Sequence, residues 1–332
     1  MPTEQMSAST SGTARAFWVA SPGHGEIRPV TVRARGDDEV LVRTLYTGVS
    51  RGTESLVFAG RVPESEHQRM RAPFQDGQFP GPVKYGYINV GVVEAGPEAM
   101  IGRRVFSLYP HQTRFVIPAA AAHVLPDDVP SARAVLTANL ETAINGVWDA
   151  APRGGNRVIV LGAGTVGCLV AWLLGSMNGV SCTLSDVNPR RAAVAKALGV
   201  EFAEPGELES DADVVIHASG SPAGLIRALD LAAPDATILE MSWYGEQMVS
   251  LPLGGAFHSR RLTIKSSQVG SIPPGKRGRW TFETRLQLAL RLLSDPSLDV
   301  LITAESGFDE MPAVMASLAT AGGDTLCHRI RY

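Results

Sequence analysis

The run Val158-Ile-Val-Leu-Gly162-Ala-Gly164-Thr-Val-Gly167 constrains the fold more than any other stretch of the 332 residues. A branched apolar segment enters a turn whose glycines are spaced G-x-G-x-x-G, and an apolar, helix-like segment follows. In that setting the first glycine permits a tight turn. The second lets backbone approach a pyrophosphate, and the third lets the helix pack on the strand. Phosphates then sit over free N–H groups at the positive end of the helix. Gly162, Ala163, Gly164, Thr165, Val166 and Gly167 are therefore read as dinucleotide contacts.

A second strand ends at Ser185-Asp186, 19 residues beyond Gly167 (186 − 167). A carboxylate there accepts hydrogen bonds from ribose hydroxyls and repels a 2′-phosphate, so NAD is favoured over NADP. Arg190 and Arg191 follow closely and weaken that exclusion. Further on, His217-Ala-Ser219-Gly220 ends another strand and supplies Ala218, Ser219 and Gly220 toward the nicotinamide half. His217 is either part of this edge or a histidine satisfied inside the sheet.

Texture divides the chain. Ala14–Val19, Glu39–Leu45, Ile88–Glu94, Arg104–Leu108 and Arg114–Ile117 read as short strands separated by Gly/Pro turns. Residues 58–82 are polar, proline-rich and without clear period, a long loop or a loosely helical excursion of a kind that is often functional. From Ala132 a helix pair is predicted to Ala150. Strands then alternate with helices: Arg157–Leu161, Ser181–Ser185, Val214–Ala218, Thr237–Glu240 and Leu262–Ser266, with helical runs Thr165–Ser176, Pro189–Leu198 and Pro222–Leu231. Such alternation implies a doubly wound parallel sheet. Helix Trp280–Leu293, strand Asp299–Thr303, helix Met311–Ala321 and strand Leu326–Ile330 complete the expectation. The Ser/Thr-rich residues 1–13 read as a disordered tail with no secretory signal.

Composition excludes several classes. At 45% hydrophobic and 19% charged the chain is too apolar for disorder, and its net charge of −3 carries no like-charge block to draw it to nucleic acid or an anionic membrane. Cys168, Cys182 and Cys327 are too scattered for a disulfide framework or a cysteine zinc site, which fits a reducing cytoplasm. The nearly uncharged stretch Val158–Val180 is long enough to span a bilayer. Its glycines and its switch from strand-like to helix-like character mark it instead as a buried strand and helix.

With these motifs in place, the chain from Ala14 to Tyr332 resembles the medium-chain dehydrogenase/reductase superfamily, which contains zinc alcohol dehydrogenases and zinc-free quinone reductases. The resemblance implies an α/β protein: a GroES-like β-rich catalytic domain (14–137 and 295–332) and a Rossmann domain (138–294). Gly48-Val-Ser50-Arg-Gly52-Thr-Glu54 is similar to the segment carrying the family's first zinc ligand, and Gly86-Tyr87-Ile88-Asn-Val-Gly91 to the segment carrying the second. Leu140-Glu141-Thr-Ala-Ile-Asn-Gly resembles the stretch in which polyol dehydrogenases place a glutamate ligand. Ser50 stands where the family has Cys, and Tyr87 and Ile88 replace His and Glu. No structural-zinc cysteines occur between Val105 and Phe115. Zinc takes three protein ligands, mostly Cys or His, so no catalytic zinc is expected. A zinc site would require His111, Glu141 and Glu54 to converge. Pro110-His111-Gln112 and Asn139-Leu-Glu141-Thr-Ala are also similar to the branch that includes the bacteriochlorophyllide hydroxyethyl dehydrogenase.

Without zinc, a side chain must polarise a carbonyl, or the substrate must be an enone. Tyr87, Tyr85, His111, Ser50 and Lys84 are candidates. Tyr87 comes first because it occupies a ligand position; otherwise it only fills the space of the metal. His111 is either a proton shuttle or an exposed loop residue. Glu54 either holds Arg51 or His111 or lies at the surface, and Glu141 either faces the reaction site or pairs with an arginine. Ile272–Trp280 is a basic loop, read as an anion site or as solvated. The strand before Gly270 lies where the family pairs subunits, so a homodimer acting on a small-molecule substrate is expected. The expected activity is hydride transfer between nicotinamide and an alcohol, carbonyl or enone. The alternatives are a zinc dehydrogenase with an unusual ligand set and a dinucleotide-binding protein without catalysis.

Overall fold

The computed structural model describes residues 12–320 and 323–332. The expected tail lies mostly outside the described residues. Its last residues do not: Gly12 accepts a backbone bond from Val32 and Thr13 opens the first strand. Two compact units emerge, Met1–Val135 with Ala304–Tyr332, and Leu136–Thr303.

In the first unit, β1 (Thr13–Ser21) forms a hairpin with β2 (His24–Thr31). β3 (Glu39–Val49) leads into α1 (Arg51–Phe58). Two short strands, β4 (Asp76–Gly77) and β5 (Val83–Lys84), extend the hairpin into a four-stranded sheet ordered β2-β1-β5-β4. β6 (Asn89–Ala95), β7 (Arg104–Ser107), β8 (Arg114–Pro118) and β9 (His123–Val124) follow. β6, β7 and β9 continue outward from β3, and β8 also pairs with β3. Alternation explains the packing. Val40 and Val42 of β3 point inward with Val93, Val105, Phe115 and Ile117, and Tyr109 stacks on Phe115 at 3.7 Å.

In the second unit, α2 (Thr137–Ala150) precedes β10 (Arg157–Leu161), α3 (Thr165–Gly175), β11 (Ser181–Ser185), α4 (Arg191–Ala197) and β12 (Glu201–Ala203). β13 (Ala212–His217), α5 (Pro222–Leu231), β14 (Ala232–Glu240), α6 (Ala256–Ser259), β15 (Thr263–Ser266) and α7 (Phe282–Leu292) complete it. The six strands are parallel and ordered β12-β11-β10-β13-β14-β15. This 3-2-1-4-5-6 order is that of a Rossmann sheet, with its reversal between β10 and β13. β10 is buried on both faces after Arg157, as a central parallel strand must be, and α3 is apolar nearly all round for the same reason. α5 starts cleanly because Ser221 caps it and Pro222 follows.

The chain then returns to the first unit through β16 (Ile302–Gly307), α8 (Met311–Leu318) and β17 (Cys327–Arg331), with β17 antiparallel to β3. Three expectations change. Residues Pro296–Leu301 form a 3-10 turn, so the strand expected from Asp299 begins at Ile302. The predicted helix pair is one 3-10 turn followed by the single helix α2. The contact boundary assigns 136–137 and 295–303 to the second unit. Among the described residues, no helix is long and apolar enough to cross a membrane.

Candidate functional site

In the second unit the glycine loop is built as its spacing requires. Gly162 has φ +105°, and a Cβ there would lie 2.7 Å from the backbone of Ser219. A Cβ on Gly167 would lie 1.8 Å from the carbonyl oxygen of Gly162, so only glycine lets α3 approach β10. Gly164 is the N-cap of α3, and a Cβ on it would meet no protein atom within 4 Å. Open space thus lies beside free helix N–H groups, among them those near Thr165 and Val166, where an anion is favoured.

Asp186 ends the segment after β11 and is fixed by two backbone donors. Its Oδ2 accepts from Ala163 N at 2.7 Å and its Oδ1 from Asn188 N at 2.8 Å. A carboxylate has about four lone-pair sites, so acceptors remain for two hydroxyls. Arg191 at the start of α4 is buried, with 7% exposure, rather than open to solvent.

At the switch point, β13 and β14 end in step, with His217 beside Glu240 in the register. His217 is wholly buried; its Nδ1 lies 2.8 Å from Glu240 Oε2 and its Nε2 2.6 Å from Ser219 Oγ. It is therefore satisfied within the sheet while contacting the exposed Ser219. Burial raises the Glu240 carboxyl, but the His217 bond and charge, with Ser242, outweigh it and hold the group below its usual range. Ala218 is half-buried, and Gly220 N donates to Ser242 Oγ at 3.0 Å.

Glu141 on α2 pairs with Arg285 on α7 at 3.1 Å, and Arg285 also donates to Asn145 and to the carbonyl of Val269. Of the two readings open from sequence, pairing with an arginine is seen here. Burial pushes its carboxyl up despite the opposing Arg285 charge and hydrogen bond. In the basic loop, Lys276 Nζ lies 5.5 Å from the Trp148 ring centroid, and Arg277 donates to the Ile272 carbonyl at 2.8 Å.

In the first unit the segment through His111 is clamped by backbone bonds. Phe17 N donates to His111 O, Thr113 N to Arg15 O, and Thr44 N to Thr113 O. That clamp buries the side chain to 1% exposure, so His111 is not an exposed loop residue. Its Nε2 lies 2.8 Å from Glu54 Oε2 and its Nδ1 2.7 Å from Thr47 Oγ1. Glu54, in the first turn of α1, accepts from Ser50 N through Oε1 at 2.7 Å. Arg51 turns elsewhere, donating to the carbonyl of Gly323.

Burial first, and the Glu54 charge second, push the Tyr87 phenol up to about 12. Tyr332 OH lies 3.3 Å from Thr47 Oγ1, so the network runs from Tyr332 through Thr47 and His111 to Glu54 and Ser50. Tyr85 packs edge-on to Tyr87, while Lys84 bonds to Gln112 at 3.0 Å. Burial lowers the Lys84 ammonium, opposed by Asp76.

This donor set does not fit catalytic zinc. Ser50 and Tyr87 offer neutral hydroxyls where zinc takes mostly Cys or His, while His111 and Arg285 hold the two carboxylates. His111 and Glu54 do meet, but Glu141 is engaged within the second unit. Among the described residues, no three His, Cys, Asp or Glu side chains gather in a metal-holding group. Thr47, Glu240, Arg285 and Tyr332 enter these networks without having been singled out from sequence.

Known proteins match this arrangement. Over 205 residues the chain is 29% identical to L-threonine 3-dehydrogenase of Edwardsiella ictaluri, covering 59% of this chain and 57% of that protein. Over 279 residues it is 23% identical to glucose 1-dehydrogenase 1 of Caldivirga maquilingensis, covering 76% and 77%. The structure of Escherichia coli L-idonate 5-dehydrogenase superposes with TM-score 0.79 at 14% identity, over 97% of this chain and 99% of that one. In sequence the chain is similar to these dehydrogenases, and in fold to medium-chain dehydrogenase structures. A further structure, an Escherichia coli alcohol dehydrogenase complexed with NADH, superposes with TM-score 0.75 at 18% identity, over 96% and 99%. No family model matches the chain. It thus spans a little over half the length of the threonine dehydrogenase it matches.

Proposed function

We propose that the chain is an NAD(H)-preferring oxidoreductase that moves hydride between nicotinamide and an alcohol, carbonyl or enone without catalytic zinc. The observation carrying this reading is the glycine loop at the sheet's switch point, with Asp186 fixed beside it. The residues fit a dinucleotide: Asp186 would take the adenosine ribose, and the α3 N-terminus the pyrophosphate. Gly164 would admit the close approach, and Ala218, Ser219 and Gly220 would border the nicotinamide half. Dehydrogenase relatives, and one family structure holding NADH, support the same cofactor class. When bound, the nicotinamide supplies or accepts the hydride.

Tyr87, with its phenol near 12, keeps its proton at working pH and donates a hydrogen bond to substrate oxygen. Glu54 and His111 form a buried hydrogen-bonded pair in the same unit as Tyr87. Asp186 disfavours a 2′-phosphate by like-charge repulsion. Three buried thiols held near 12 are inert and fit a reducing cytoplasm. β15 ends the parallel sheet and would pair a homodimer.

The test is hydride exchange from NADH and NADPH to a panel of alcohols, ketones and enones, alongside metal analysis of the purified protein. Turnover with NADH and less than stoichiometric metal is expected. One tightly bound zinc per chain would overturn the metal-free reading. NADH binding without turnover on any substrate would favour a non-catalytic binding protein.

A further inference from the structure

Four arginines from four strands converge on one open cavity of about 350 Å³ in the first unit, a volume within the range of small-molecule sites. A seam in the sheet creates it. One edge of β3 serves two partners end to end: β8 pairs with Glu39–Arg43 and β17 with Tyr46–Val49. Two backbone bonds close the edge between them, Thr44 N to Thr113 O and Tyr332 N to Leu45 O. β8 starts where β17 ends, so Arg114 and Arg331 flank the seam. Arg43 lies on β3 just before it, and Arg15 of β1 is tied to it by the bond from Thr113 N to the Arg15 carbonyl. The Phe308 and Tyr332 rings, stacked at 4.5 Å, form an aromatic wall of the same cavity.

The charges around the seam do not balance. Among the described residues lining the cavity, Asp309 is the one carboxylate, and it pairs with Arg15 at 2.5 Å. Arg43 and Arg114 stand directly opposite each other in the β3–β8 register, an unfavourable arrangement for like charges. Both turn to a single carboxylate, Glu94, at 3.0 and 2.9 Å. Arg331 lies 3.5 Å from Glu305, whose other oxygen takes Arg329. Five arginines thus share three carboxylates, an excess of two positive charges in a chain whose net charge is −3.

We propose that this cavity binds a small phosphate monoester carrying a planar ring. Such an ester brings a charge of about −1.5 to −2 near neutrality, which matches the excess. The four cations lining the cavity are all arginine, whose planar fork pairs bidentately with phosphate oxygens where lysine offers only a point charge. The Phe308–Tyr332 wall gives the ring of the ester a surface to pack on, which bare phosphate would not use. Every residue of the site belongs to the first unit and the glycine loop to the second, so the site is independent of the dinucleotide reading.

The probes are phenyl phosphate, inorganic phosphate and benzenesulfonate, which keeps the ring but carries one charge. Calorimetric titrations and thermal shifts at pH 8 follow their binding to wild type, Arg43→Gln, Arg114→Gln and Arg69→Gln. The first two side chains are 47% and 46% exposed, so their variants fold. Arg69, 80% exposed and paired with Glu66, does not line the cavity and serves as the control for net charge. Phenyl phosphate is expected to raise the melting temperature of wild type. It should bind about three- to tenfold tighter than inorganic phosphate, the worth of an aromatic contact, and tighter than benzenesulfonate. Arg43→Gln and Arg114→Gln should each weaken it about tenfold or more, the worth of a charged hydrogen bond, and Arg69→Gln should not. No heat and no thermal shift with millimolar phenyl phosphate overturns the proposal. So does an affinity that the two cavity variants leave unchanged, or that Arg69→Gln lowers as much as they do. Equal affinities for phenyl phosphate and inorganic phosphate also overturn it, since the ring would then find no wall. Displacement by ADP-ribose, with no effect of either cavity variant, would put the ester at the glycine loop and not at the seam.

Discussion

The Nε2 atom of His111 lies 2.8 Å from Oε2 of Glu54, with only 1% and 4% of the two side chains exposed. Glu54 also accepts the Ser50 N–H, so one carboxylate satisfies two buried donors. Glu54→Ala strands both and is expected to cost about 3–5 kcal/mol, as for breaking a buried pair. Glu54→Gln keeps an acceptor and should cost about 1–3 kcal/mol. Urea unfolding curves for the two variants check the order; equal losses would mean that the bonds contribute nothing beyond shape.

Tyr87→Phe removes the proposed partner of substrate oxygen while leaving its ring. Loss of one such donor typically lowers kcat about 10²–10³-fold, and cofactor affinity should not change. The wild-type rate should show no decline attributable to Tyr87 ionisation below about pH 10, since its phenol sits near 12. Steady-state kinetics from pH 6 to 10 on both proteins measure this.

Two glycines of one loop should respond in opposite ways. Gly162→Ala places a methyl 2.7 Å from the Ser219 backbone at a positive φ, so the variant should be grossly destabilised or insoluble. Gly164→Ala meets no protein atom and should melt like wild type, yet lose tenfold or more in NADH affinity because the methyl takes the pyrophosphate's space. Asp186→Ser should lose about ten- to a hundredfold in NADH affinity, with NADPH affected less, given the worth of charged hydrogen bonds. Thermal melts and dinucleotide titrations separate folding from binding.

The Glu141–Arg285 pair makes a pH prediction with a definite sign. Burial raises the folded-state pKa of Glu141 above its unfolded value. The associated stability is fully present below the unfolded pKa and is lost as pH rises through the folded one. Wild type should therefore lose stability relative to Glu141→Gln as pH climbs from about 4 toward neutrality, starting near the usual glutamate pKa. Arg285→Met, by contrast, strands Glu141 and the acceptors of Asn145 and Val269, costing about 3–5 kcal/mol. Denaturant titrations across that range decide; a wild-type advantage that grows with pH would reverse the sign.

The central strand of the parallel sheet was legible because burial on both faces writes a continuous apolar run: β10 falls on Arg157–Leu161 as read from sequence. β2 was not, since most of its residues are half-exposed and Pro29 breaks the pattern. At the site, the glycine loop and Asp186 were local and readable. Partnerships were not. Glu54 and His111 stand 57 residues apart, and Glu141 and Arg285 144 apart, so only tertiary packing chooses among the partners that sequence left open. The His217–Glu240 bond did leave a trace: both are polar residues closing apolar parallel strands in the same register.

Gly86 lies between Tyr85 and Tyr87 with φ +127°, and a Cβ there would stand 2.8 Å from the His111 ring. The imidazole therefore occupies volume that any other amino acid at position 86 would claim. Histidine at 111 and glycine at 86 form a matched lock: a side chain at 86 would evict the ring from Glu54 and shift the backbone that carries Tyr87. A chain of this fold with a larger residue at position 86 must hold its buried carboxylate by some other means.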